Sequence, residues 1–253
     1  MTLDVRNLKV SLNHRTILEN INFSHSHGIT MILGPNGCGK STLLRAIMGF
    51  IPIDSGEVRL NGCNIIKMPL RQRATMMAYL PQKQNTGLML RVVEYVAMGE
   101  SPQMGVFSAP NAAALRRAES LLEQMGLAEL APRSMDEISL GEMRLAGLAR
   151  VQSQNADLML LDEPLTGLDL KRRYDFLRRL KAMKCNVLMS LHEPDIAWQF
   201  AHRILVIDRR RLLCDMCTDT ADPNTFLQAL ESVYGLPMHF ETQGIRRRLI
   251  AGD

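Results

Sequence analysis

Three groups of residues are of the types that handle phosphate, metal and water. The first is Gly34-Pro35-Asn36-Gly37-Cys38-Gly39-Lys40-Ser41-Thr42, a G-x-x-x-x-G-K-S run. Gly34, Gly37 and Gly39 let the backbone turn with its N–H groups inward, making a concave anion site that a following helix N-terminus reinforces with its dipole. Lys40 supplies an ammonium for the β- and γ-phosphates of a nucleotide. Ser41 offers a hydroxyl to Mg²⁺, which prefers oxygen ligands and shares its shell with water and phosphate. A glycine-rich turn that binds nothing would leave Lys40 unexplained. The second group is Asp162 and Glu163, adjacent carboxylates after four apolar residues. Asp162 suits the same Mg²⁺ from the side opposite Ser41. Glu163, near a metal-bound triphosphate, can orient and deprotonate an attacking water, general-base work contributing roughly 10² to 10⁴ in rate. The third group is Gln82 and His192, polar residues that each follow an apolar run.

These residues need strands that end where they begin. Gly28 opens a buried strand, Ile29 to Leu33, and a helix from Ser41 runs to Gly49, which takes the left-handed C′ conformation. Met77-Ala78-Tyr79-Leu80-Pro81-Gln82 reads as a strand ended by proline, with Gln82 at the head of a loop. Leu158 to Leu161 is apolar on both faces, as a central parallel strand must be, and ligands of open α/β sheets gather at such C-terminal strand ends. Asn186 to Leu191 is a second buried strand, with His192 at its C-terminal end, and Arg203 to Asp208 a third. Thr2 to Val10 and Ile21 to Phe23, around a turn at Asn13-His14-Arg15, and Glu57 to Gly62 form a small antiparallel sheet. From about Leu88 to Gln154 the pattern is helical, with Leu115, Ala118, Leu122 and Met125, then Leu145, Leu148 and Val151, at spacings of three and four. A loop from Ser101 to Pro110 lies within it. The fold class is therefore α/β: a phosphate-loop core with a mostly parallel sheet, a small antiparallel β-subdomain and an inserted helical subdomain. A helix, Asn224 to Tyr234, and a basic, weakly patterned tail end the chain.

The 253 residues suit one large α/β domain with an insertion, and 46% hydrophobic with 22% charged residues excludes disordered and fibrous classes. No apolar run approaches the roughly 18 to 20 residues that span a bilayer, so any membrane role comes through a partner. The N-terminus has no signal-peptide pattern, which points to the cytoplasm. The net charge of +4 gathers at Lys171 to Arg173, Arg178-Arg179, Arg209 to Arg211 and Arg246 to Arg248, read as solvated faces rather than a nucleic-acid footprint. Five cysteines, an odd number, suit a reducing compartment. Cys214-Asp215-Met216-Cys217 lacks further ligands for zinc and reads as an ordinary thiol pair.

From about Leu3 to Tyr234 the sequence resembles the nucleotide-binding subunit of ABC transporters. The order of motifs makes the likeness specific: after the phosphate loop (Walker A), Gln82 matches the Q-loop, Ile138-Ser139-Leu140-Gly141-Glu142 the signature, Leu158 to Glu163 the Walker B, Thr166-Gly167-Leu168-Asp169 the D-loop and His192 the switch histidine. The resemblance implies one ABC ATPase domain over 1–253. Its core is 1–87 and 155–215 with the β-subdomain, its helical subdomain 88–154, and its C-terminal helix and tail 216–253. It further implies a head-to-tail dimer with ATP and Mg²⁺. Gly34 to Thr42 would bind ATP in one copy, and Ser139, Gly141, Glu142 and Asp169 would reach it from the other. Glu163, His192 and Gln82 would be catalytic, and Ser41, Gln82 and Asp162 would hold the metal.

Val92 to Gly99 and Glu231 to Pro237 look like importers of the iron-siderophore, haem and cobalamin group. This implies a membrane permease partner, indirectly a periplasmic substrate-binding protein, and a place on the cytoplasmic face of a bacterial inner membrane. Two stretches depart from the family. Leu12 stands about where an aromatic residue usually stacks on adenine, with His14 as a substitute, and in the signature Leu140 stands at the first glycine, with Met143-Arg144-Leu145 in place of the usual polar residues that follow. The competing readings are a regulatory ATP-binding module with a diverged signature and low turnover, and a soluble ABC ATPase without a permease.

Overall fold

The computed structural model describes residues 1–83, 89–104, 109–183, 185–243 and 246–251; beyond 241, side chains are described at 249 and 250. The chain forms two compact units, Met1–Lys67 with Asn186–Asp253, and Met68–Cys185.

The first unit begins with strands β1 (Leu3–Leu12) and β2 (Arg15–His25), paired antiparallel with Leu12 opposite Arg15. Asn13 and His14 both have positive φ, 48° and 61°, as a two-residue type I′ hairpin turn requires. The turn is thus one residue shorter than the sequence suggests, and Arg15 already belongs to β2. β3 (Ile29–Leu33), buried throughout, leads through the phosphate loop to helix α1 (Lys40–Ile47), and Gly49, with φ 66°, follows its end. β4 (Ser55–Leu60) and the short β5 (Cys63–Asn64) complete an antiparallel sheet ordered β2-β1-β4-β5.

The second unit contains α2 (Leu70–Met76), β6 (Met77–Leu80), α3 (Val92–Ala97), α4 (Ala112–Gln124), α5 (Leu140–Ser153), β7 (Leu158–Leu161) and α6 (Leu170–Ala182). β6 and β7 pair in parallel. The expected loop from Ser101 begins inside a 3₁₀-helix, Met98–Gln103; residues 105–108 of that loop, and Leu88 at the expected start of the helical region, lie outside the described residues. In α4 the buried positions are Ala114, Ala118 and Leu122, with Leu115 half-buried. α5 is buried on more than one face, from Met143 to Ala149 with Leu145 half-buried.

The chain returns to the first unit with β8 (Asn186–Ser190), α7 (Pro194–Phe200), β9 (Arg203–Asp208), β10 (Arg211–Cys217) and α8 (Pro223–Tyr234). β3 pairs in parallel with β8 on one side and β9 on the other, and β10 is antiparallel to β9. The tail differs from expectation, because β11 (Met238–Gln243) and β12 (Arg246–Ala251) pair as a hairpin. Its anchor is aromatic: the rings of Trp198 and Phe240 are 4.8 Å apart, and Trp198 stacks on Phe226 of α8 at 5.3 Å. The side chains of Arg246 to Arg248 lie outside the described ones. Arg209 to Arg211 are exposed, whereas Arg173 donates to the Leu168 carbonyl at 2.9 Å and Arg179 to that of Gln124. Cys214 is buried in β10 and Cys217 exposed, both as free thiols. Among the described residues no helix is long and apolar enough to cross a membrane.

His25, at the end of β2, is 1% exposed. Its Nδ1 lies 2.8 Å from Thr30 Oγ1, and its Nε2 has no partner among the described residues. Burial, reinforced by the neighbouring charge of Arg203, lowers its pKa from 6.5 to about 4. The unfolded chain therefore takes up a proton near pH 6.5 that the folded chain refuses until about pH 4. Stability should fall across that interval, by roughly 3 kcal/mol at most. Urea denaturation of the wild type and His25→Leu between pH 7 and 4 checks this. The difference between the two should vary with pH in that window, and a constant difference would show that His25 titrates normally in the fold.

Candidate active site

The phosphate loop is shaped by backbone that only glycine adopts readily. Gly34 leaves β3 with φ 149°, and a Cβ there would stand 2.1 Å from the Ile207 carbonyl oxygen of β9 and 2.7 Å from Cys38 Sγ. A Cβ on Gly39, the N-cap of α1 with φ 111°, would stand 2.7 Å from Leu18 Cδ2. The loop is wrapped over β2 and β9 with no room for side chains at those two points. Lys40 is 5% exposed, and its ammonium donates to the carbonyls of Gly34 at 2.7 Å and Pro35 at 3.1 Å. His192, just past β8, brings Nδ1 to 3.5 Å from that ammonium. A lysine can only donate, so the contact selects the tautomer with its proton on Nε2. Burial pushes the Cys38 thiol up, against the pull of Lys40.

In the second unit β7 delivers Asp162, fully buried, whose backbone N–H donates to Leu80 O at 2.9 Å and whose Oδ2 accepts from the Tyr79 hydroxyl at 3.2 Å. Glu163 follows with φ 45°, a left-handed conformation costly for a residue with a Cβ. Its Oε2 accepts from Gln82 Nε2 at 2.6 Å and lies 3.4 Å from Thr166 Oγ1. Gln82 and Glu163, 81 residues apart, are thus in direct contact.

Ser139 caps α5 in a reciprocal box. Its Oγ accepts from Glu142 N at 3.3 Å, while Glu142 Oε2 accepts from Ser139 N at 2.9 Å and from the Ser139 hydroxyl at 2.7 Å. That hydroxyl, with the backbone N–H second, holds the Glu142 carboxyl below its usual range. Leu140 occupies the first helical position, 58% exposed, and lies over Gly167, where a Cβ would stand 3.0 Å from Leu140 Cδ2. A Cβ on Gly141 would meet only the flexible guanidinium of Arg172 closely, at 2.9 Å. Asp169 caps α6, accepting from Arg172 N at 2.8 Å.

The ABC transporter family profile matches residues 18–166. A probable iron chelatin transport ATP-binding protein of Helicobacter pylori is 31% identical over 238 residues, covering 91% of this chain and 92% of that protein. The chain belongs to the ABC transporter family. As an ABC protein it carries an ATP-binding domain of the hydrolytic type. The iron(3+)-hydroxamate import ATP-binding protein FhuC of Bacillus subtilis is 34% identical over 213 residues, 82% of this chain and 79% of that one. In fold, the chain matches a metal-chelate type ABC transporter solved in an inward-facing conformation, with TM-score 0.85 and 23% identity over 100% of this chain and 98% of the other.

Two groups escaped the sequence reading. A cavity of about 490 Å³ beside the phosphate loop is lined by Arg15, Thr16 and Ile17, by Pro35 to Cys38 and by Asp208 to Arg210. Leu12 and His14, the expected adenine contacts, are not in its lining. The two-residue turn spends His14 on the hairpin and starts β2 at Arg15. Arg144, the second, is 5% exposed inside α5 and was given no role by the sequence. Arg15 lines the cavity, and a guanidinium stacked over a base would contribute about 1 kcal/mol. Calorimetric titration with ATP should show Arg15→Ala weakened several-fold and Leu12→Ala nearly unchanged; the reverse ranking would return the base to Leu12.

Proposed function

We propose that the chain is the ATP-hydrolysing subunit of a bacterial importer for an iron chelate, haem, cobalamin or similar metal-containing ligand. It works as a head-to-tail dimer beneath a membrane permease, fed by a periplasmic substrate-binding protein, as a peripheral protein of the cytoplasmic face. The names of the iron-chelate and hydroxamate relatives support the substrate class. The observation that carries the catalytic reading is Glu163, in strained backbone at the end of a buried strand and held at 2.6 Å by the Gln82 amide.

The backbone N–H groups of Gly34 to Thr42 and the α1 N-terminus bind the ATP phosphates, and Lys40 exchanges the loop's own carbonyls for phosphate oxygens. Ser41, Asp162 and the Gln82 amide oxygen are hard oxygen donors that suit Mg²⁺, the Gln82 nitrogen being taken up by Glu163. When bound, Mg²⁺ neutralises charge on the transferring phosphate. Glu163 orients the attacking water and takes its proton. Gln82 fixes the rotamer in which Glu163 does so. His192, already beside Lys40, contacts the terminal phosphate as it is released. From the partner copy, Ser139, Gly141 and Glu142 present the α5 N-terminus, and Asp169 the adjoining loop. Leu140 leaves the capping box intact, so the altered signature keeps its helix start.

Glu163→Gln should bind ATP as the wild type does and lose at least about a hundredfold in hydrolysis. With Mg-ATP it should elute as a dimer in size-exclusion chromatography. Turnover near the wild-type rate would remove Glu163 from this role.

A further inference from the structure

We propose that Arg144 is a positioning residue that sets Gln82 against Glu163 and so ties the first turns of the signature helix to the proposed general base. The proposal deepens the catalytic reading above and rests on it. Arg144 Nη1 donates to Pro81 O at 2.9 Å and Nη2 donates to Gln82 O. β6 ends at Leu80, so these two successive carbonyls lie beyond its pairing with β7. A planar fork of N–H groups matches two adjacent acceptors, which an ammonium or an amide does not. With its carbonyl fixed, Gln82 directs its side chain to Glu163 at 2.6 Å.

Stability alone does not explain the residue. Arg144 is 5% exposed, its Nε has no partner among the described residues, and burial lowers its pKa against the opposing pull of Asp162 and Glu163. A desolvated cation with an unsatisfied donor is costly to bury. The guanidinium instead supplies the positive charge near two carboxylates and a rigid link between loop and helix. Displacement of α5 at its capped end is then carried to Gln82 without slack.

The test uses the full chain with Arg144→Lys, Gln82→Ala and the double variant. Arg144→Lys should keep ATP affinity within about twofold and lose about tenfold or more in kcat, with KM little changed. If Arg144 acts through Gln82, the double variant is no slower than Gln82→Ala, because the two losses are not independent. Additive losses, or wild-type kcat in Arg144→Lys, overturn the proposal. Full activity in Gln82→Ala overturns the reading of Gln82 and the proposal with it, whereas a slow Gln82→Ala beside a fast Arg144→Lys overturns the proposal alone. A second measurement is independent of turnover: hydrogen exchange of a peptide covering residues 77–83 should quicken in Arg144→Lys while one covering 29–33 stays unchanged. Unchanged exchange in the first peptide also overturns the proposal.

Discussion

The absence of a side chain at Gly34 is the constraint on which the phosphate-binding unit depends. β3 and β9 run parallel as neighbours, and the chain must leave β3 within 2.1 Å, measured from a notional Cβ, of the Ile207 carbonyl on β9. Only that close passage lets the loop fold back over its own strands. Lys40, the first residue of α1, can then reach round to the carbonyls of Gly34 and Pro35. The parallel partner on the other side, β8, ends two residues before His192, which explains why that ring arrives at the same ammonium.

The second unit solves a different problem, the crowding of charge and unpaired backbone where β6 and β7 end together. Asp162 is wholly buried, yet it receives a hydroxyl from Tyr79, and its backbone is tied to Leu80. Glu163 is turned out of the strand direction by its left-handed backbone and is met by Gln82. Arg144 answers both the charge and the loose carbonyls with one group. Arg144 Nε is the one buried side-chain donor of this group without a partner among the described residues, and disturbing any member would leave another polar group unpaired.

Much of this was legible in the sequence because it depends on short-range pattern. Glycines before Lys40, four apolar residues before Asp162 and an apolar run before His192 announce strand ends wherever they occur, and strand ends gather ligands. The contact of Gln82 with Glu163 was less accessible, since 81 residues separate them and only motif order linked them. The role of Arg144 was illegible for a physical reason: the acceptors that admit this arginine lie just past the end of β6, more than sixty residues earlier. Arg15 was read as part of the turn, and one residue of turn length makes it the first position of β2 instead. The β11–β12 hairpin rests on Trp198 and Phe240, a contact between distant segments that local pattern cannot foretell.

Leu140 and Gly167 carry a consequence for how such chains diverge. The leucine at the head of α5 covers a glycine whose φ of 82° already disfavours a side chain, and a Cβ there would press on Leu140 Cδ2 at 3.0 Å. The two positions therefore share one small volume, filled from the α5 side. A lineage that restored glycine at 140 would open that volume, and one that enlarged 167 would first have to empty it. Substitutions at the two sites are therefore expected to arise in pairs.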